Sequence, residues 1–130
     1  GSGTAELLRY RVQSLAETAF PAPLIEGDTE VMYLRTGVAS TPYTVVGEQQ
    51  ILHVTHTATA AVTVNLRAAA TAGDGAWIKV VDAGNNAATN NITIDGNGAE
   101  TINGSATYVM NADRETVEIY CDGSNWFVAP

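Results

Sequence analysis

The sequence predicts an all-β fold, a small antiparallel β-sandwich or barrel-like domain with an extended or short-helical N-terminal arm. Short runs in its second half alternate apolar and polar residues, the period of a strand with one buried face. Charged residues make up 15% of the 130 residues, against about 25% in ordinary soluble domains, which favours a neutral β-rich surface. Five Asx-Gly pairs mark tight turns: Asp74-Gly75, Asp95-Gly96, Asn97-Gly98, Asn103-Gly104 and Asp122-Gly123.

The sequence divides into three segments, and the distribution of turns separates the second from the third. Residues 1–3, Gly-Ser-Gly, are interpreted as a cloning remnant or a flexible linker. Residues 4–50 are predicted to hold the N-terminal arm and the first strands, and residues 51–130 the β-rich module.

The first part of the arm fits two conformations. In "TAELLRYRVQSLAETAF", Leu8, Val12 and Leu15 follow helical spacing, but Leu8, Tyr10 and Val12 also alternate as in a strand. The sequence therefore leaves helix and extended chain open here.

Pro21 and Pro23 predict an extended continuation of the arm, because each ring fixes its own φ and keeps the preceding residue out of the helical region. An extended apolar arm needs a surface to lie on. The residues predicted to contact a partner are Tyr10, Phe20, Leu24, Ile25, Met32 and Tyr33.

Eight further segments read as strands. Two of them begin before residue 51, "EVMYLRTG" and "TPYTVVGEQQILHVTH", and Gly37 and Gly47 are interpreted as breaks in them. In the module, strands are predicted in "AAVTVNLR", "AWIKVVDAG", "NITIDGNG", "ATYVMNA", "TVEIYCDG" and "NWFVA".

Charge excludes two classes of partner. The formal net charge is −8 and the pI is about 4.4, with no cluster of Lys or Arg. Such a chain lacks the basic surface that binds phosphate backbones or anionic lipid, so no nucleic-acid or membrane partner is expected.

No motif predicts catalysis, a metal site or a cofactor. His53 and His56 form an H-x-x-H, which on a strand sends the two rings to opposite faces. Asp95, Asn97 and Glu100 are read as turn residues in preference to a cation site. Cys121, Trp77 and Trp126 lie in apolar strand patterns and are predicted to be buried in the core.

Residues 55–129 resemble a β-rich module of tailed-phage virion proteins, which include capsid decoration proteins, head fibres and tail fibres. The resemblance rests on "LRAAATAGDGAWIKVVDAGNNAATNNITI", "GAETINGS" and "DGSNWFV". It implies a non-enzymatic β unit within a homotrimer on the virion surface. The expected partners are the major capsid protein or another virion protein and further copies of this chain.

The expected function is that of a capsid decoration (cement) protein or head fibre, a virion structural protein of a bacteriophage. The alternative is a tail-fibre domain that recognises host surface carbohydrate.

Overall fold

The computed structural model describes residues 34–47 and 51–130, which form nine strands, one α-helical turn and one 3₁₀ turn. The helical turn α1 is Ala69–Ala72, and the 3₁₀ turn is His56–Ala58. The strands are β1 Arg35–Val38, β2 Tyr43–Thr44, β3 Ile51–Val54, β4 Val62–Asn65, β5 Trp77–Asp82, β6 Ile92–Asp95, β7 Thr107–Met110, β8 Thr116–Cys121 and β9 Trp126–Val128.

The first six strands alternate between two sheets. One sheet has the order β1-β3-β5-β8-β9 and the other β2-β4-β6-β7. The first six strands therefore run as three turns of a two-sheet coil, one strand of each turn in each sheet. The last three strands close both sheets with antiparallel pairings.

The prediction of a small β-rich, sandwich-like domain is confirmed, but the predicted antiparallel arrangement was wrong, because both sheets are mixed. Four of the seven pairings among the described strands are parallel, namely β1–β3, β2–β4, β3–β5 and β4–β6. Asx-Gly pairs mark places where the chain turns, but they do not state which strands become neighbours. Here Asp74-Gly75 connects α1 to β5, whereas Asp122-Gly123 forms a true hairpin between β8 and β9.

The core lies between the two sheets. Strand β5 alternates half-buried and buried residues, with Ile78, Val80 and Asp82 inward. Buried side chains of both sheets, such as Leu52 of β3 and Ile94 of β6, join one continuous hydrophobic cluster. Each such aliphatic side chain contributes about 1.5–3 kcal/mol through burial, so this cluster is the main source of stability.

The predicted strands of the second half are confirmed in place, and the earlier segments need correction. The segment 41–56 contains two strands in different sheets, β2 and β3, and Gly37 lies inside β1. The alanine run before Gly73 forms the helical turn α1, where the sequence had predicted no helix. Both sheets begin before residue 51, since β1 and β2 belong to them.

Candidate functional site

The predicted partner-contact residues cannot be located in the fold. Tyr10, Phe20, Leu24, Ile25, Met32 and Tyr33 all lie outside the described residues. Among the described residues, the candidate sites are the two ends of strand β5 and the outer faces of the two sheets.

A buried carboxylate organises the C-terminal end of β5. The Asp82 side chain is 2% exposed, and its Oδ1 accepts a hydrogen bond of 2.5 Å from the Thr57 hydroxyl. Its Oδ2 accepts backbone N–H groups at 3.0 Å from Asn86, 2.9 Å from Ala87 and 3.0 Å from Arg114. One side chain thereby ties the 3₁₀ turn, the loop after β5 and the turn between β7 and β8.

The donors around Asp82 favour its charged form. Burial of the carboxyl group opposes ionisation, but the hydrogen bonds from Thr57, Ala87, Arg114 and Asn86 together hold the pKa of Asp82 below its usual value. Because N–H and O–H groups surround both oxygens, the carboxylate serves as an internal acceptor for the loops and not as a cation ligand.

Backbone contacts complete this network, which we call the Asp82 knot and define as Asp82 with the loops that donate to it. The Thr57 carbonyl accepts the side-chain amides of Asn86 at 3.2 Å and Asn90 at 2.7 Å. A Cβ atom at Gly84 would collide with the Thr57 hydroxyl and lie 2.8 Å from the Ala58 nitrogen. Glycine is therefore required where this loop crosses the 3₁₀ turn.

A cavity of about 310 Å³ lies at the other end of β5. Strand β5 has six residues, and its five steps of about 3.3 Å place its two ends roughly 17 Å apart. Segments that follow β2 and β4, the helical turn α1 and the beginnings of β5 and β9 surround the cavity. Its aliphatic wall consists of Val45, Leu66, Ala72, Ala76 and Ile78.

Two donors stand out among the lining residues. Trp126 is 3% exposed, and among the described residues its indole Nε1–H has no hydrogen-bond partner. Arg67 is half-buried, and its Nη1 donates a 2.6 Å bond to the Gly47 carbonyl, which also borders the cavity. No Asp or Glu is found among the described residues that line it.

The outer face of the four-stranded sheet is nearly neutral. Register places Thr63, Thr93 and Val109 in one outward row, in which Val109 is 44% exposed. We call this surface the threonine face and complete it with the second outward row, Thr44, Asn65, Asp95 and Thr107. Asp95 is its one charged residue.

The outer face of the five-stranded sheet carries an aromatic row and several charges. Trp77, Tyr120 and Phe127 stand opposite one another on β5, β8 and β9, and the rings of Tyr120 and Phe127 stack with centroids 5.6 Å apart. Trp77 is half-buried on this outer face, so its predicted place in the core was wrong, whereas that of Trp126 is confirmed.

The remaining candidates serve the fold. Cys121 is buried as predicted, and its thiol donates to the Gly73 carbonyl at 2.9 Å. Both Glu100 carboxylate oxygens accept the Ala69 N–H, at 3.0 and 3.1 Å. His53 lies on β3 and His56 in the 3₁₀ turn, and no group of three potential metal ligands occurs within residues 34–47 and 51–130.

Helices in the described part of the chain are too short and too weakly apolar to cross a bilayer. Neither protein-family models nor curated proteins gave a match to this chain.

Proposed function

We propose that the chain is a non-enzymatic structural protein of a tailed-phage virion, a capsid decoration protein or head fibre that binds the capsid surface as a homotrimer. Two things support this proposal: the resemblance of residues 55–129 to modules of virion proteins, and the threonine face. We assign the contact between the copies to the threonine face, because its nearly uncharged side chains suit close packing.

Burial of the threonine face in an interface costs little free energy. Its threonine and valine side chains are β-branched and stiff, so little rotamer freedom is lost on contact. Asp95, the last residue of β6, is the single charge of the face, so burial of the other side chains desolvates no ion. Three copies of such a face can surround a three-fold axis.

The opposite sheet is less suited to this contact. Its outward row contains Arg35, Lys79 and Glu118 in register with Ile51. Burial of this row in a symmetric interface would require each charge to find a partner. This face is therefore assigned to solvent or to a different partner.

Light scattering tests the trimer. We expect the protein to have about three times the 13.6 kDa chain mass. Thr93→Lys places a charge at the centre of the threonine face and should give the monomer mass, whereas Thr116→Lys, on the outer face of β8, should leave the trimer intact. A monomeric wild-type protein, or a trimeric Thr93→Lys variant, would remove the threonine face from the proposal.

Capsid binding tests the virion role. Capsids that lack the protein should bind it, and the decorated shells should open at a higher temperature than bare ones. Absence of binding to capsids, with a trimer still present, would reject decoration while leaving the oligomer in place.

The alternative is a tail-fibre domain that recognises host surface carbohydrate, and the aromatic row favours it. Aromatic rings on a sheet face offer flat apolar surfaces to sugar rings. Tyr120 is 42% exposed. Under this alternative, Tyr120→Ala should weaken adsorption to host cells, whereas the decoration function predicts affinity for capsids and no adsorption.

A further inference from the structure

The cavity at the start of β5 combines apolar walls with donors. Its volume of about 310 Å³ lies at the small end of the range for ligand pockets, enough for a compact molecule. Five aliphatic residues supply its wall, while its charged contribution comes from Arg67. Among the described lining residues no side chain is an acceptor, so a bound molecule must bring acceptors of its own.

The indole of Trp126 supplies the second observation. Within residues 34–47 and 51–130 its Nε1–H is buried without a partner, although nearly all buried donors in folded proteins are paired. The same side chain borders the cavity. Because the Nε1 atom itself is buried, an acceptor carried by an occupant of the cavity reaches this donor when the indole shifts toward it, which would remove the penalty of leaving the donor unpaired.

Arg67 determines the charge of the acceptor. Its bond to the Gly47 carbonyl uses one of the five guanidinium N–H donors and fixes the group beside the cavity. The planar fork of a guanidinium matches a carboxylate, which it binds through two parallel hydrogen bonds. Because the described residues that line the cavity include Arg67 and no Asp or Glu, the local charge favours an anion, although the net charge of the chain is −8.

We propose that this cavity binds a small carboxylate with an apolar body, the carboxylate meeting Arg67 and the Trp126 N–H and the body lying on the aliphatic wall. The aliphatic part of the wall offers no polar side chain to the several hydroxyl groups of a neutral sugar, which disfavours such a ligand. The carboxylate belongs either to a free small acid or to the end of a protein chain.

Phenylacetate is a suitable probe because it joins an apolar ring to a carboxylate. The chain has two tryptophans, so a ¹H–¹⁵N spectrum contains two indole signals. A Trp77→Phe variant assigns them, and because Trp77 also lines the cavity, binding itself is measured on the wild-type protein. We expect the Trp126 signal to move downfield and saturate, with a Kd of about 1 mM for a ligand of this size. The uncharged 2-phenylethanol should give no saturable shift at equal concentration.

Substitutions locate the contact. Arg67→Gln should weaken phenylacetate binding about tenfold, the usual worth of a charge-assisted hydrogen bond. Trp126→Phe should weaken it less while keeping an aromatic ring, and ring-current shifts of Leu66 methyls report binding to that variant. Lys79→Gln removes a cation from the outer face of β5 and should leave affinity unchanged.

Three results would overturn the proposal. These are an unmoved Trp126 indole at about ten times the expected Kd, equal responses to acid and alcohol, or equal losses in Arg67→Gln and Lys79→Gln. Urea denaturation of each variant establishes that it is folded.

Peptides distinguish the two sources of the carboxylate. A peptide ending in phenylalanine with a free C-terminus, binding more tightly than phenylacetate and losing affinity on amidation, would identify a chain end. Binding of phenylacetate without binding of the peptide would identify a free acid. Both results are independent of the oligomer mass, so failure of the trimer proposal remains distinguishable.

Discussion

The two ends of β5 differ in how completely their polar groups are paired. At the C-terminal end, four donors form hydrogen bonds to the Asp82 carboxylate. The side-chain amides of Asn86 and Asn90 donate to the carbonyl oxygen of Thr57. At the N-terminal end, the Trp126 indole N–H has no acceptor in the described part of the chain, and a cavity adjoins it.

This difference separates two uses of polar groups in one small domain. A saturated buried network fixes loops in one arrangement, because any movement would leave a donor or the carboxylate unpaired. An open end with spare donors loses little when a partner arrives and gains hydrogen bonds from it. Stability is therefore expected to reside at the Asp82 end and binding at the Trp126 end.

The largest effect is expected from Asp82→Asn. The amide has one acceptor oxygen and turns its own NH₂ toward backbone donors, so several buried hydrogen bonds are lost together. We expect a loss of about 3 kcal/mol in the free energy of unfolding. Urea denaturation measures it, with exposed Asp74→Asn as the control, expected within about 0.5 kcal/mol of the wild type. Equal losses in the two variants would show that the Asp82 knot adds nothing special.

Gly84→Ala is expected to destabilise the same end of β5 through a steric clash. The added methyl group would overlap the Thr57 hydroxyl and crowd the backbone of Ala58, so the loop must shift away from Asp82. We expect a loss of about 2 kcal/mol, within the range for overpacking. Gly37→Ala is the matched control, since a Cβ atom there meets nothing within 4 Å. A loss in Gly37→Ala as large as in Gly84→Ala would contradict this account.

Acid should weaken the Asp82 end selectively. The folded state lowers the pKa of Asp82, so the unfolded state binds more protons and stability rises with pH. This contribution is present above the unfolded-state pKa of about 3.9 and is lost as the pH falls through the lower folded-state pKa. The stability difference between wild type and Asp82→Asn, measured by denaturation from pH 6 to pH 2, should shrink over that window. A stability difference that stays constant over this pH range would show that the contribution of Asp82 does not depend on its charge.

The positions of the later strands could be predicted from sequence, but their pairing could not. Alternation in segments such as β4 and β8 is a local signal and was interpreted correctly. The parallel coil has no regular period, since Ile51 pairs with Arg35 on one side and Lys79 on the other, 16 and 28 residues away. Unequal turns of a coil leave no repeat to detect, and Asx-Gly pairs then suggest hairpins.

The contacts at the two ends of β5 could not be predicted from the sequence for a related reason, because they join residues that lie far apart along the chain. Asn86 and Ala87 lie close enough to Asp82 for a local Asx-type turn to be anticipated. Thr57 and Arg114 are 25 and 32 residues away, and only the coil brings them together. Trp126 was predicted to be buried, yet nothing in its neighbourhood of the sequence indicates that Leu66 and Val45 would leave a cavity beside it.

The smallest effect is expected from Arg67→Gln in the absence of ligand. Its hydrogen bond to the Gly47 carbonyl is exposed to solvent, so water replaces it at little cost. We expect a change of at most about 0.5 kcal/mol by urea denaturation, although the same variant should bind phenylacetate about tenfold more weakly. A large loss of stability would make Arg67 a structural residue like Asp82 and would erase the contrast between the two ends. A small one, together with weakened binding, would show that the donors at this end are kept for an occupant.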